Sequence, residues 1–457
     1  MTLIAGVLRR DALGRIATVL PGAGMFFNGG TPVGPMGDLQ VSTDGGVPSG
    51  VPAPTREFNL LAGPIDPAVT VVRTSTATYF NAAGALADAA ADTPRFDHNP
   101  ATLEPRGLRI ESARTNLALN NAVGVTQNVA VTAVAHTLSF VGTGSVALSG
   151  AAVGNLVGTG PGFADRVALT FTPAAGSLTL TVTGSVQWLQ VEAGAFASSI
   201  IKTAGAAVTR NQDNLALLGA SFSAFWNVAE GTVQAIGTSN SVTAGQFPRL
   251  FTAQDNVAAN VVGVSRFVDQ NAARSSVITA SVAQAAFNLG PMPAGVRVNT
   301  TLAYKVNDFA GSADGGAAVV DTAGTVPVVD RLYFGSVSGT SSLLDGWLEH
   351  LRYWNTRLPN AQLAAVSSGA GPFFNGGLLY SADGSLVVAN GGAIANYVQG
   401  GLPVTAAGAL CVAYGGVPVT FQAGIPFDAA GRVCMVAPVP PVELEAFDIS
   451  FEDPAFG

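Results

Sequence analysis

The chain has 457 residues, a mass of 46.0 kDa and a formal net charge of -8, with 11% of residues charged and 48% hydrophobic. The length suits about three domains, and the acid excess argues against a nucleic-acid partner, because phosphate contacts need clustered Lys and Arg. Two cysteines and three scattered histidines, His98, His136 and His350, suit neither a disulfide framework nor a four-ligand zinc site. Mean hydropathy is positive at +0.39, yet the longest uncharged run is broken throughout by Asn, Thr, Ser and Gly, and the N-terminus lacks the order of a signal peptide. The reading is a chain made in the cytosol, with no membrane insertion.

Residues 1–62 open with a repeat. Phe27-Asn28-Gly29-Gly30 leads to Gly37-Asp38-Leu39-Gln40-Val41, and Gly14 precedes Gly37 by 23 residues. The paired glycines permit a positive-φ turn, and the alternation after the later glycine predicts a strand with one apolar face. The same unit returns over 369–437, where Gly384, Gly408 and Gly431 follow at spacings of 24 and 23. One such hairpin cannot bury its own face, and repeat arrays need about three units to do so. The two terminal blocks are therefore expected to pack together or against a neighbour. Cys411 and Cys434 hold equivalent repeat positions and read as small apolar fillers.

Residues 63–115 form a transition segment unusually dense in Arg and Glu for this chain, expected to make ion pairs that buttress a domain boundary. Residues 116–213 alternate as Val167-Ala168-Leu169-Thr170-Phe171 and Leu178-Thr179-Leu180-Thr181-Val182, with Gly and Pro clusters between, as in a β-sandwich. Residues 214–368 form a second β-rich unit, ending in a predicted helix from Leu358 to Val366 that Gly369 terminates. Residues 438–457 form a Pro-rich, then acidic tail, read as extended or ordered by a neighbour.

Several motifs carry a resemblance. Arg73 onward to Phe80, Pro94-Arg95-Phe96-Asp97 and Gly107-Leu108-Arg109-Ile110-Glu111 resemble a segment of tailed-phage virion proteins that precedes lectin-like domains. Trp188-Leu189-Gln190-Val191-Glu192, with Ser198-Ser199-Ile200-Ile201-Lys202-Thr203 and Val208-Thr209-Arg210-Asn211-Gln212-Asp213, resembles the end of a carbohydrate-binding-module-like jelly roll. The stretch from Leu344 to Leu363 resembles the last strands and helix of a concanavalin A-like, laminin-G-type sandwich. The resemblance implies an all-β chain with two β-sandwiches, jelly roll then concanavalin A-like, flanked by short β-hairpin repeat modules.

Site residues are scarce. Glycoside cleavage needs two carboxylates across a bond. Glu192 and Glu349 stand singly on predicted strands, and only Glu443 and Glu445 form a close pair. No Ser or Cys pattern accompanies the histidines. Gly158-Thr159-Gly160-Pro161-Gly162 precedes no helix and so makes a poor phosphate loop. Trp226, Trp347, Tyr353 and Trp354 are available to stack a sugar, although core packing is the plainer reading, with Trp347 and Tyr353 on one strand face and Trp354 on the other. Asp255, Asn256 and Asp269 match no known calcium loop. The sequence assigns no catalytic, cofactor-binding or metal residues, no cofactor, and leaves ligand-binding residues unassigned.

The resemblance implies a non-enzymatic virion protein, a tail fibre, spike or head fibre that displays lectin-like domains to host surface glycans. A decoration or cementing protein is the alternative and a polysaccharide depolymerase a minor one. Expected partners are other virion proteins, host surface polysaccharide and copies of the same chain, a trimer being favoured by the surplus of apolar residues.

Overall fold

The computed structural model describes residues 51–368, together with the backbones of short strands toward both ends. Residues Pro52–Ser368 form one compact unit, built almost wholly of antiparallel strands.

Two eight-stranded sheets face each other. The back sheet runs Val319–Asp321, Phe309–Ala313, Arg297–Lys305, Glu230–Ser239, Gly346–Trp354, Pro105–Ile110 and Phe96–His98, with Arg56–Asn59 also paired to Gly346–Trp354. The front sheet runs Val282–Ala285, Ala272–Thr279, Val261–Phe267, Arg249–Gln254, Arg331–Phe334, Asn214–Leu218 and Thr70–Val72, with Asn288–Pro291 on Ala272–Thr279. Strand alternation sends Val262, Val264, Leu332, Phe334, Leu302 and Leu351 into one shared core. Each such side chain contributes roughly 1.5–3 kcal/mol by leaving water. The predicted helix is present as Asn360–Ser367, with Leu363 and Val366 buried.

Residues 63–115, expected to be a transition segment, supply Thr70–Val72 to the front sheet and Phe96–His98 and Pro105–Ile110 to the back sheet. The reason is visible in the last of these strands. Leu108 and Ile110 are fully buried in the core, while Arg109 and the following Glu111 point the other way. The large sandwich therefore starts well before residue 214, and the jelly roll is an insertion between its strands Pro105–Ile110 and Asn214–Leu218.

The inserted jelly roll packs a four-stranded sheet, Gln127–Val131, Gly176–Thr183, Ser145–Gly150 and Gly154–Val157, against a three-stranded one, Val167–Phe171, His136–Val141 and Gln187–Ala193. Its core is separate and includes Leu138, Phe140, Leu178, Leu180, Leu189 and Val191. A two-stranded stem, Arg114–Asn116 with Val208–Arg210, carries the chain in and out.

The two sandwiches meet on a buried ionic cluster. Arg73 donates to Asp213 at 2.8 Å, Arg109 to Asp97 at 2.7 Å and to Glu111 at 2.9 Å, and Arg95 to Glu111 at 2.8 Å and to Asp213. Arg210 lies 3.3 Å from Glu111. The Ser199 backbone N–H and hydroxyl also donate to Glu111, at 2.8 and 2.7 Å. Four guanidiniums thus face three carboxylates, and the motif residues that carry the sequence resemblance collect here. Burial alone would raise the Glu111 carboxyl, but Arg109, Arg210 and Arg95 outweigh it and hold it well below the usual carboxylate range.

Toward the ends, Phe26–Asn28 pairs with Thr31–Val33 across Gly29-Gly30, and Phe373–Asn375 pairs with Leu378–Tyr380 across Gly376-Gly377. These are two-residue hairpins at the paired glycines. The later Gly-x-Leu-x-Val strand of the first unit, the packing of the two blocks, Cys411, Cys434 and the tail lie outside the described residues.

The cluster predicts an acid-sensitive fold. A carboxyl held low in the folded state contributes stability that is present above its unfolded pKa of about 4.3 and lost as pH falls through the folded value. Glu111→Gln should cost about 3–5 kcal/mol at pH 7 by leaving buried guanidiniums unbalanced. Denaturant unfolding from pH 7 down to pH 3 should show a flatter acid limb in the variant than in the parent.

Candidate functional site

The two sheets differ in what lies over their outer faces. The back sheet is covered. Gln234 and Asn299 each donate to the Val366 carbonyl of the terminal helix at 2.9 Å, and Trp354 donates to the Pro52 carbonyl at 2.7 Å. The front sheet turns outward a polar face in which Arg249, Arg274, Ser276, Arg331 and Tyr333 stay half-exposed.

Strand register defines this face as three cross-strand rows. The central row is Thr70, Ala216, Tyr333, Thr252, Gly263 and Ser276. On one side lie Leu218, Arg331, Gln254, Val261 and Ile278. On the other lie Arg249, Ser265, Arg274 and Asn288. Five inter-strand steps of about 4.8 Å make the central row about 24 Å wide, enough for several sugar rings. None of the three rows contains Asp or Glu.

A β-bulge aims one of the arginines. Arg249 opposes Ser265 and Phe251 opposes Val264, so Leu250 is the extra residue. Without it, Arg249 and Phe251 would share a face; with it, Leu250 and Phe251 both enter the core and Arg249 turns out. The Arg249 guanidinium then reaches two strands across and donates to the Ser276 hydroxyl at 2.8 Å. Although the side chain keeps some exposure, desolvation of its guanidinium against the sheet, with no carboxylate beside it, pushes the Arg249 pKa down to about 10. Its Nε is buried and without a partner, as are Thr252 Oγ1 and Gln254 Oε1 in the adjoining rows.

An aromatic platform borders the arginines. Phe267, at the end of its strand, stacks on Phe247 at 4.8 Å between ring centroids, and both rings are half-exposed. The Arg274 guanidinium lies over Phe267, 5.2 Å from its centre. At the corner where the face meets the jelly-roll stem, a cavity of about 390 Å³ is lined by Thr74, Asn211, Gln212, Asn214 and Thr340 among others.

The residues singled out in the sequence lie elsewhere. Trp226 stacks on Tyr353 at 4.6 Å and on Tyr304 at 5.4 Å inside the core. Gly231 is required there, because a Cβ would meet the Tyr304 and Tyr353 hydroxyls at 2.6 and 2.7 Å. Trp354 is buried. Trp347 and Tyr353 do not share a face: Ile236 opposes His350 and Gly237 opposes Leu348, so a bulge at Glu349 inverts the alternation. Trp347 is half-buried against the ionic cluster, donating to Asp97 at 2.8 Å, with Arg106 and Arg109 over its ring.

Glu192 accepts from the Ser198 N–H at 2.8 Å and hydroxyl at 2.6 Å, and Glu349 pairs with Arg297 at 2.7 Å. Glu443 and Glu445 lie outside the described residues. Asp255 accepts from Ala259 and Asn260 within its own loop, while Asp269 accepts from the Gly245 N–H at 2.9 Å. The strand Val261–Phe267 separates the two, about 20 Å by strand rise. His136 stacks on Phe171, and His98 bonds the Phe80 carbonyl at 3.2 Å. His350 is buried, 3.8 Å from the Glu57 carboxylate. The N–H groups of Gly158, Gly160 and Gly162 bond the chain's own oxygens.

No protein-family model and no curated protein matches the chain. Solved structures similar to part of it include the CBM40 of the Ruminococcus gnavus IT-sialidase bound to α2,6 sialyllactose, 14% identical over 31% of this chain and 84% of that one, with a TM-score of 0.27. The NanB sialidase of Streptococcus pneumoniae is 12% identical over 31% of this chain and 24% of its own, TM-score 0.26. The Trypanosoma rangeli sialidase is 13% identical over 34% of this chain and 25% of its own, TM-score 0.26.

Core and face should respond differently to truncation. Trp226→Ala should cost about 3–5 kcal/mol, the usual loss for a buried aromatic. Phe267→Ala and Tyr333→Ala should each cost about 1 kcal/mol or less, and parallel thermal melts of the three variants would measure the contrast.

Proposed function

We propose that the chain is a non-enzymatic glycan-binding protein whose front-sheet face receives an extended saccharide. The observation that carries this reading is the face itself: an aromatic platform, two partly exposed arginines, Tyr333 and Ser276, over which no other described residues pack as the terminal helix packs on the opposite sheet. A sugar ring offers an apolar face to Phe267 or Tyr333 and hydroxyls to Ser276 and the partly exposed arginines, the division of labour expected of a saccharide site. Rows without carboxylates support binding over hydrolysis, since cleavage needs two acids about a bond. The phage-type motifs in the sequence support a place on a tailed-phage particle, as a tail fibre, spike or head fibre, with many copies raising the effective concentration of a weak single site.

A decoration or cementing role is favoured by a different observation. The jelly roll leaves Val123, Val125, Val153 and Val157 exposed, Val153 at 89%, an apolar scatter suited to contacts with copies of this chain or other virion proteins.

Two measurements test these readings. A glycan array probed with multivalent protein should show selective binding that falls about tenfold in Phe267→Ala, and release of reducing ends by the pure protein would overturn the non-enzymatic reading. Light scattering at micromolar concentration should give a multiple of 46 kDa, a trimer being favoured, and a clean monomer would argue against self-association.

A further inference from the structure

The front-sheet face holds a charge imbalance that hydroxyl recognition alone leaves unexplained. Arg249 and Arg274 oppose the same residue, Ser265, from the strands on either side of it. Two inter-strand steps of about 4.8 Å put their backbones about 10 Å apart. Among the described residues neither makes an ion pair; Arg106, Arg114, Arg166 and Arg266 also make none, but only Arg249 and Arg274 flank one residue on the outer face of the front sheet. In a chain with acid excess, two adjacent guanidiniums stand without a carboxylate.

Their surroundings favour anionic oxygen. The Arg249 guanidinium is held across the face by its bond to the Ser276 hydroxyl. Arg274 is oriented by the Phe267 ring beneath it, a contact that leaves the edge of the guanidinium plane free to donate. A guanidinium presents a planar fork of N–H donors that matches two oxygens of one acidic group. A desolvated cation without a counter-charge costs stability, and an incoming anion removes that cost. The platform beside the two arginines would take the ring that bears the acid.

We propose that the ligand of this face is an acidic polysaccharide, whose carboxylate or sulfate oxygens are taken by Arg249 and Arg274 while the adjoining ring lies against Phe247 and Phe267. The proposal rests on the glycan-binding reading and narrows it to one ligand class.

The test uses the full chain and four polymers: polygalacturonate, the same polymer after carboxyl reduction, dextran sulfate and dextran. Binding is measured by biolayer interferometry in low salt and again in 0.15 M salt. The expected result is binding to polygalacturonate, to dextran sulfate or to both, at least tenfold tighter than to the matched neutral polymer. The acidic polymer that binds identifies the source of the oxygens. Arg274→Gln, whose side chain is half-exposed, should lower that binding at least tenfold while leaving the thermal melt in place. Arg249→Lys should also lower it, since a point charge does not replace a fork. Arg297→Gln, on the opposite sheet, should leave binding unchanged and so controls for general charge. Equal binding to acidic and neutral polymers, or undiminished acid binding in Arg274→Gln, overturns this proposal and leaves glycan binding standing. Failure to bind any of the four polymers or any array glycan overturns both.

Discussion

The arrangement of the described unit depends on one buried interaction, the guanidinium–carboxylate cluster around Glu111 and Asp213. Two sandwiches joined only by a two-stranded stem would be free to swing. Here Arg95 bridges three parts of the chain: it donates to Glu111 on the large sandwich, to Asp213 just past the stem, and to Ser199 in the jelly-roll loop at 3.1 Å. Charges this deep contribute little net stability, because desolvation offsets most of their attraction. Their geometric demand is strict, however, since every guanidinium must find its oxygens at once. Orientation is the property they supply.

The same economy separates the outer faces of the two large sheets. The back sheet spends its polar side chains on the terminal helix and the N-terminal strand, as with Gln234, Asn299 and Arg352. The front sheet keeps small or polar residues outward, and one bulge in each sheet fixes which side chains reach the surface. One turns Arg249 out while sending Leu250 and Phe251 in; the other sets Trp347 against the junction and Tyr353 inside the core.

Alternation made the strands of both sandwiches readable in the sequence, and the helix at Asn360–Ser367 followed from its apolar spacing. The Arg-rich motifs pointed to ion pairs at a boundary, and those pairs are present. The insertion was harder to read, because strand partners such as Thr70–Val72 and Asn214–Leu218 are distant in the chain and nothing local marks their pairing. The face residues escaped for a related reason. Arg249 and Phe251 share parity, so a bulge that no residue type announces reverses the sense of the pattern. Phe267 gave a usable signal: Val261, Gly263, Ser265 and Phe267 form an outward series of small residues ending in an aromatic ring, opposite Val262 and Val264.

The nested connectivity also sets an order of assembly. Arg73 and Asp213 meet across 140 positions of sequence, and closing so long an unstructured loop is entropically costly and slow. The inserted jelly roll has its own core and a stem that brings its two ends side by side. Once it has folded, the strands that flank it are tethered by a short effective loop, and the large sandwich can close as if the insertion were only a few residues long. A smaller sandwich folded first would serve as a clamp for the larger one, because its core is separate and its stem holds the flanking strands together.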